Sequence, residues 1–342
     1  MAGVIRIVLA VLVLATLAVL GAGAWAWQQL DRPGPAADAL VFEVTPGMPL
    51  ARIARRLEEA GVIRHAWLFE WYGRGSGLAA SIRAGEYRFP PHGTPREVLA
   101  RLVSGEVVLH SLTIVEGWTF RQMRTAIEAH PAVRQTLQGV SGEEIMARLG
   151  REGEVPEGWF LPETYRFARG TSDLQLMRIA HEAMQRALEA EWAGRQEGLP
   201  LKTPYEALIL ASIIEKETGL AAERGEIAGV FTRRLQRGMR LQTDPTVIYG
   251  LGPDFEGRLR RVHLDTDTPW NTYTRGGLPP TPIALPGRAA LAAAVQPLEG
   301  RTLYFVATGH PDGSHHFSET LEEHNRAVQR YLATLRERRN RQ

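Results

Sequence analysis

Residues 7–27 form an apolar run of 21 in which Thr16 is the only polar side chain. At helical rise such a run is about 30 Å long, the thickness of a bilayer's hydrocarbon core, so it reads as a transmembrane helix. The small residues at 21–24 also fit the end of a cleavable signal peptide. Signal-peptide cores are only about 7–15 residues long, however, and an uncleaved anchor is the preferred reading. Arg6 is the only charge ahead of the run, and Trp25 and Trp27 sit at its far end, which sets the N-terminus in the cytoplasm and the rings at the interface. The rest of the chain would then lie on the outer side.

After a Pro/Gly/Ala tether at 32–38 the pattern changes to short strand, Gly-containing turn and amphipathic helix, three times over. Residues 41–44 lead through Gly47 to Leu50, Ile53 and Leu57, closed by Gly61. Residues 87–89 lead through Gly93 to Val98, Leu99 and Leu102, closed by Gly105. Residues 112–115 lead through Gly117 to Phe120, Met123 and Ile127. The composition turns polar at 150–157, where a boundary is predicted. Residues 204–219 start with Pro, end with Gly and are apolar on almost every side, as a buried helix is. Pro311, Asp312 and Gly313 predict a hairpin, and Thr320 with Glu323 predicts the capping box of a C-terminal helix that ends in several arginines. The expected fold class is α+β: an anchor at 1–30, a tether at 31–40, a small α+β region at 41–150 and a mixed α/β domain at 151–342.

Composition narrows the chemistry. With no cysteine there is no disulfide, zinc ribbon, iron–sulfur site or thiol nucleophile. Forty Lys and Arg against 38 Asp and Glu carry no nucleic-acid signature. Phosphate-loop and serine-nucleophile motifs are absent, and His310, His315, His316 and His324 lack the spacing of a metal-binding helix, so neither a metal nor a cofactor is expected.

Two carboxylate sites stand out. Glu163 lies among Trp159, Phe160 and Tyr165, and flat rings beside an acid suit a sugar-binding cleft as well as they suit an ordinary core. At the end of the buried helix, Glu215 and Glu217 point to nearly opposite sides and cannot form a facing pair. Glu217 follows Ile213, Ile214 and Leu210 along one side. Burial there and the helix's negative end would both raise its pKa and keep it protonated as a general acid. A solvated helix end is the alternative that these residues alone leave open.

Residues 211–218, 231–238 and 239–250 closely resemble the YceG-like (MltG) family of endolytic murein transglycosylases. The likeness continues through Tyr165, residues 270–274, 277–280, 282–284 and 286–287, and into residues 304–306 and 316–317. The resemblance implies a LysM-like module after the anchor and a catalytic domain built around a buried active-site helix. It implies a bacterial inner-membrane enzyme that cuts peptidoglycan strands internally, between N-acetylmuramic acid and N-acetylglucosamine, and leaves a 1,6-anhydro end. Related enzymes carry their acid in a Glu-Ser pair, to which Glu217 and Thr218 correspond. Gln242, Asp244, Asn271 and Tyr273 fall in the best-matched segments and are expected to orient the sugar and its acetamido group, or else to serve as scaffold. Glycan strands are the implied partner, with peptidoglycan synthases of elongation or division complexes as companions. A lysozyme-like hydrolase would need a second carboxylate, from Asp244 or Glu163. A non-catalytic wall-binding scaffold would not need Glu217 at all.

Overall fold

The computed structural model describes residues 2–252, 255 and 257–341. It is a mixed α+β protein that begins with a long apolar helix and separates into two compact units, Met1–His110 with Arg166–Gly170, and Ser111–Tyr165 with Thr171–Gln342.

In the first unit, α1 (Ala2–Gln29) contains a 27-residue apolar stretch, Gly3–Gln29, that is exposed until its last residues, where Trp25 stacks on Trp67 and Arg96 lies over Trp27; it is long and apolar enough to cross a membrane. Then come β1 (Leu40–Val44), α2 (Leu50–Glu59), α3 (Ala66–Gly75), β2 (Gly85–Phe89) and α4 (Pro95–Ser104). β1 and β2 pair antiparallel from Leu40 against Phe89 to Val44 against Gly85. Alternation sends Phe42, Val44, Tyr87 and Phe89 to one face, where they meet Ile53 and Leu57 of α2, Phe69 of α3, and Leu99 and Leu102 of α4 in one core. α4 is bounded as its sequence predicts. Thr94 and Glu97 form a reciprocal capping box, Pro95 occupies the first turn, and Gly105 at φ 75° closes the end in a conformation that disfavours a Cβ.

The second unit holds α5 to α13, with the end of β3 and the start of β4. β3 (Leu109–Thr113) pairs with β4 (Thr164–Ala168); α5 (Phe120–Ala129), α6 (Gly142–Arg148) and α7 (Asp173–Ala193) flank this pair in sequence. Next follow α8 (Pro204–Glu217), α9 (Arg224–Gln236), α10 (Asp244–Leu251), α11 (Arg261–Asp265) and α12 (Arg288–Val295). The chain ends in the hairpin β5 (Tyr304–Ala307) and β6 (His315–Ser318) and the helix α13 (Leu321–Arg341). The hairpin turns through Gly313 at φ 73°, and Thr320 and Glu323 exchange the reciprocal bonds of a capping box.

α8 is the centre of this unit. Thr203 caps it by accepting from the Glu206 N–H, Pro204 occupies its first position, and every residue from Ala207 to Ile214 is buried. α7, α9, α10 and α12 all pack on it, which explains why it lacks a polar face. Ser212, in the middle of the helix, accepts from the Ile283 N–H at 3.0 Å and so ties the loop ahead of α12 to the helix. Gly158 is required beside this loop: it sits at φ 87°, and a Cβ there would lie 2.6 Å from Pro282. α8 stops at Thr218, whose extended backbone leaves Glu217 as the last helical residue.

Candidate active site

Glu217 ends α8 where the chain that leads into α10 passes over it. The Thr243 hydroxyl donates a hydrogen bond to Glu217 Oε1. Thr243 is itself immobilised: its N–H donates to Thr272 Oγ1 at 3.1 Å, and the buried Thr246 hydroxyl bridges the Thr243 carbonyl at 2.8 Å and Thr272 Oγ1 at 2.9 Å. Burial pushes the Glu217 carboxyl up to about 7. The Thr243 bond opposes that rise, Asp244 adds to it, and His315 and Arg234 oppose it. At neutral pH the group is therefore divided between acid and carboxylate, the state from which one residue can give and take a proton.

The turn over Glu217 is held by Arg234 of α9. Its buried guanidinium donates to the carbonyls of Leu303 at 2.7 Å, Leu241 at 2.8 Å and Arg240 at 3.1 Å, and stacks over the Tyr304 ring at 5.0 Å. Gln242 adopts φ 52°, a left-handed conformation uncommon for a residue with a Cβ. The bonds on either side of it keep it there. His315, the other cation-capable neighbour, is oriented by Glu223, which accepts from both its backbone N–H at 2.9 Å and its ring Nδ1 at 2.8 Å.

The residues singled out from the sequence occupy three kinds of place. Asp244 and Tyr273 come together beside Glu217, with the Tyr273 hydroxyl donating to Asp244 Oδ1 at 2.6 Å. Gln242 is exposed on the same turn. Asn271 is fully buried: its amide nitrogen donates to the carbonyls of Thr266 at 2.7 Å and Leu264 at 2.9 Å, and its oxygen accepts from the Tyr273 N–H at 2.8 Å. All of its bonds run to backbone, so it locks the loop that carries Tyr273. Glu163 is exposed and pairs with Arg288 at 3.1 Å, at the start of α12. The residue before it, Gly287, donates at 2.9 Å to Glu215, whose carboxylate faces away from the Thr243 turn toward Arg224. Trp159, Phe160 and Tyr165 are buried, with Trp159 stacked on Tyr205 at 5.8 Å and Phe160 against Phe120 at 5.4 Å. Thr218 directs its hydroxyl to the Leu220 N–H, not to Glu217.

Thr243, Arg234 and Glu223 carry no signal of their own in the sequence, and His315 stands there only among histidines that lack metal-binding spacing. Thr243 and Arg234 lie inside the best-matched segments, but Thr243 meets Glu217 across 26 residues and Arg234 acts through backbone carbonyls. A fourth group, Glu157, fell in the stretch read as a boundary. Its carboxyl accepts from the Phe120 N–H at 2.8 Å and the Tyr249 hydroxyl at 3.2 Å. Burial pushes it up to about 7, against the lowering influence of those bonds. A carboxyl raised in the folded state contributes stability below the unfolded pKa of about 4.5 that is lost as pH rises through about 7. Glu157→Gln does not titrate. The melting temperature of the variant relative to the parent is therefore expected to rise by about 5 °C between pH 5 and pH 8, measured by scanning calorimetry.

Among the described residues no group of three or more His, Asp or Glu could hold a metal ion. What the fold and site define is a mixed α+β protein with an N-terminal apolar helix and, at the end of a buried helix, a carboxyl raised by burial under a tightly held turn. The chain belongs to the YceG-like family, whose pattern matches residues 42–330. It is 30% identical over 314 residues to an endolytic murein transglycosylase of Bacillus subtilis, and the match covers 86% of each chain. It is 27% identical to an endolytic murein transglycosylase of Streptococcus pneumoniae, covering 84% of this chain and 58% of that longer protein. A crystal structure of a YceG-like protein from Listeria monocytogenes aligns with a TM-score of 0.56 at 30% identity, covering 84% of this chain and 98% of that one.

Proposed function

We propose that this protein is a membrane-anchored endolytic transglycosylase of peptidoglycan. Family membership and the names of its relatives support the reaction class. The observation that carries the assignment of the acid is the buried Glu217 carboxyl, poised near neutrality under the Thr243 hydroxyl. Protonated Glu217 donates to the glycosidic oxygen between N-acetylmuramic acid and N-acetylglucosamine as that bond breaks. The sugar's own 2-acetamido group stabilises the developing cation, so no second protein carboxylate is needed. Ionised Glu217 then takes the proton of the 6-hydroxyl while that oxygen closes onto the anomeric carbon, giving a 1,6-anhydro end without water. In this reading Asp244 and Tyr273, whose side chains are hydrogen-bonded to each other, orient the sugar, with Gln242 at the rim of the turn.

The α1 helix anchors the chain in the bacterial inner membrane, with the body on the periplasmic or outer side. Residues 31–40 serve as tether. Residues 41–150, which open with a strand–helix–helix–strand order, serve as a LysM-like glycan-holding and connecting region, and residues 151–342 as the catalytic domain around α8. Cutting nascent strands internally limits their length, in company with the synthases that make them.

The test is a time course of strand length. Internal cutting shortens the mean strand before disaccharides accumulate, whereas release of disaccharides from the first minutes would contradict it. Because the acid form of Glu217 starts the reaction, kcat/KM is expected to fall about tenfold per pH unit above about 7. Thr243→Val removes a bond that lowers the Glu217 pKa, so the descending limb should move to higher pH.

A further inference from the structure

A cavity of about 700 Å³ opens beside the Glu217 turn. Lys216, the residue before Glu217, lines it, as do Pro245, Ile248 and Tyr249 of α10, Phe255 and Trp270. Most of its wall is apolar, with Thr119, Gln122 and Glu157 as polar members. Tyr249 and Trp270 meet edge to face at 5.6 Å, and the close approach of these two segments depends on Gly250, where a Cβ would lie 3.2 Å from Trp270 Cβ. Two exposed cations stand at its edge, Lys216, whose ammonium reaches the Gly117 carbonyl at 3.3 Å, and Arg121 of α5. The acid in its wall, Glu157, is turned to the Phe120 N–H and the Tyr249 hydroxyl and fixes that ring in place.

The scissile bond of the proposed reaction leaves C1 of muramic acid, and the lactyl ether that carries the stem peptide stands on C3 of the same ring. An acid that reaches C1 must therefore have the stem close by. Stem peptides combine alanine methyl groups with free carboxylates, which matches apolar walls with cations at the edge. We propose that this cavity is the subsite for the lactyl-peptide stem of muramic acid, with Lys216 and Arg121 meeting its carboxylates and Ile248, Phe255 and Trp270 its methyl groups. The proposal rests on the transglycosylase reading above. It makes the enzyme selective for strands that still carry their peptides.

The test uses the full chain in detergent micelles and two probes, N-acetylmuramyl tripeptide and N-acetylmuramic acid, with affinities measured by titration calorimetry. The tripeptide should bind at least tenfold more tightly than the bare sugar. Lys216→Glu and Ile248→Asp, both at exposed positions, should each bring that ratio close to one. Equal affinities in the parent, or a ratio unchanged in both variants, would overturn the proposal. The two readings fail separately: a full ratio in a parent that produces no anhydro ends keeps the subsite and removes the reaction, whereas anhydro ends with a ratio of one remove only the subsite.

Discussion

Glu217→Gln is expected to lower the release of anhydro-ended fragments by about three orders of magnitude, within the range that loss of a general acid–base residue produces. The amide has the same shape and still offers an oxygen to the Thr243 hydroxyl, so the turn over the site should persist. What it lacks is a proton that can be given and taken back. Glu215→Gln is the control. Its carboxylate accepts the Gly287 N–H on the other side of α8, so the loss there should stay within about tenfold. Chromatography of digests by the two variants, normalised to folded protein by circular dichroism, decides between them. A live Glu217→Gln beside a dead Glu215→Gln would reverse the assignment.

Arg234→Met should have the next largest effect, through position instead of proton transfer. Its guanidinium serves three carbonyls, and a methionine of similar length leaves Arg240, Leu241 and Leu303 without their donor. A loss of about 3 kcal/mol is expected, or about 10 °C in melting temperature. Activity should drop about a hundredfold because Gln242 no longer holds its left-handed conformation and Thr243 shifts from Glu217. Arg234→Lys should recover little of either, since one ammonium cannot span the planar fork's partners. Thermal melts and initial rates measured on the same preparations check both. A variant with full activity and an unchanged melting temperature would show that the turn needs no such support.

What the sequence made legible was local. The apolar run of α1, the strand–turn–helix units at β1–α2 and β2–α4, the capped α8 and the hairpin before α13 each carry their signal within a few residues: periodicity, a cap, a Gly with positive φ. α3 carries no such signal, because Trp67, Leu68, Phe69, Trp71 and Tyr72 run together without a clear period. The polar stretch 150–157 carries a composition change, but it lies inside the second unit and ends in the buried Glu157. The aromatic cluster around Glu163 had two readings, and burial puts its rings in the core while Glu163 pairs with Arg288 at the surface.

For the site, the sequence pointed to the helix end, where an apolar face leads to a carboxylate. The residues that tune Glu217 are another matter. Thr243 lies 26 residues away, Arg234 acts through carbonyls that have no signature of their own, and His315 arrives on a strand near the end of the chain. Asn271 shows the same gap. An asparagine in a well-matched segment can hold a sugar or a loop, and only its bonds to Leu264 and Thr266 show that it holds a loop.

The central claim is that one carboxyl gives and recovers a proton while no water enters the product. Digestion of glycan strands in water enriched in oxygen-18, followed by mass spectrometry of the new ends, tests it most directly. The account predicts muramic acid ends lighter by one water and free of the heavy isotope. New reducing ends carrying oxygen-18 would contradict it, and would make Asp244, beside Glu217 and bound to Tyr273, the second carboxylate of a hydrolase.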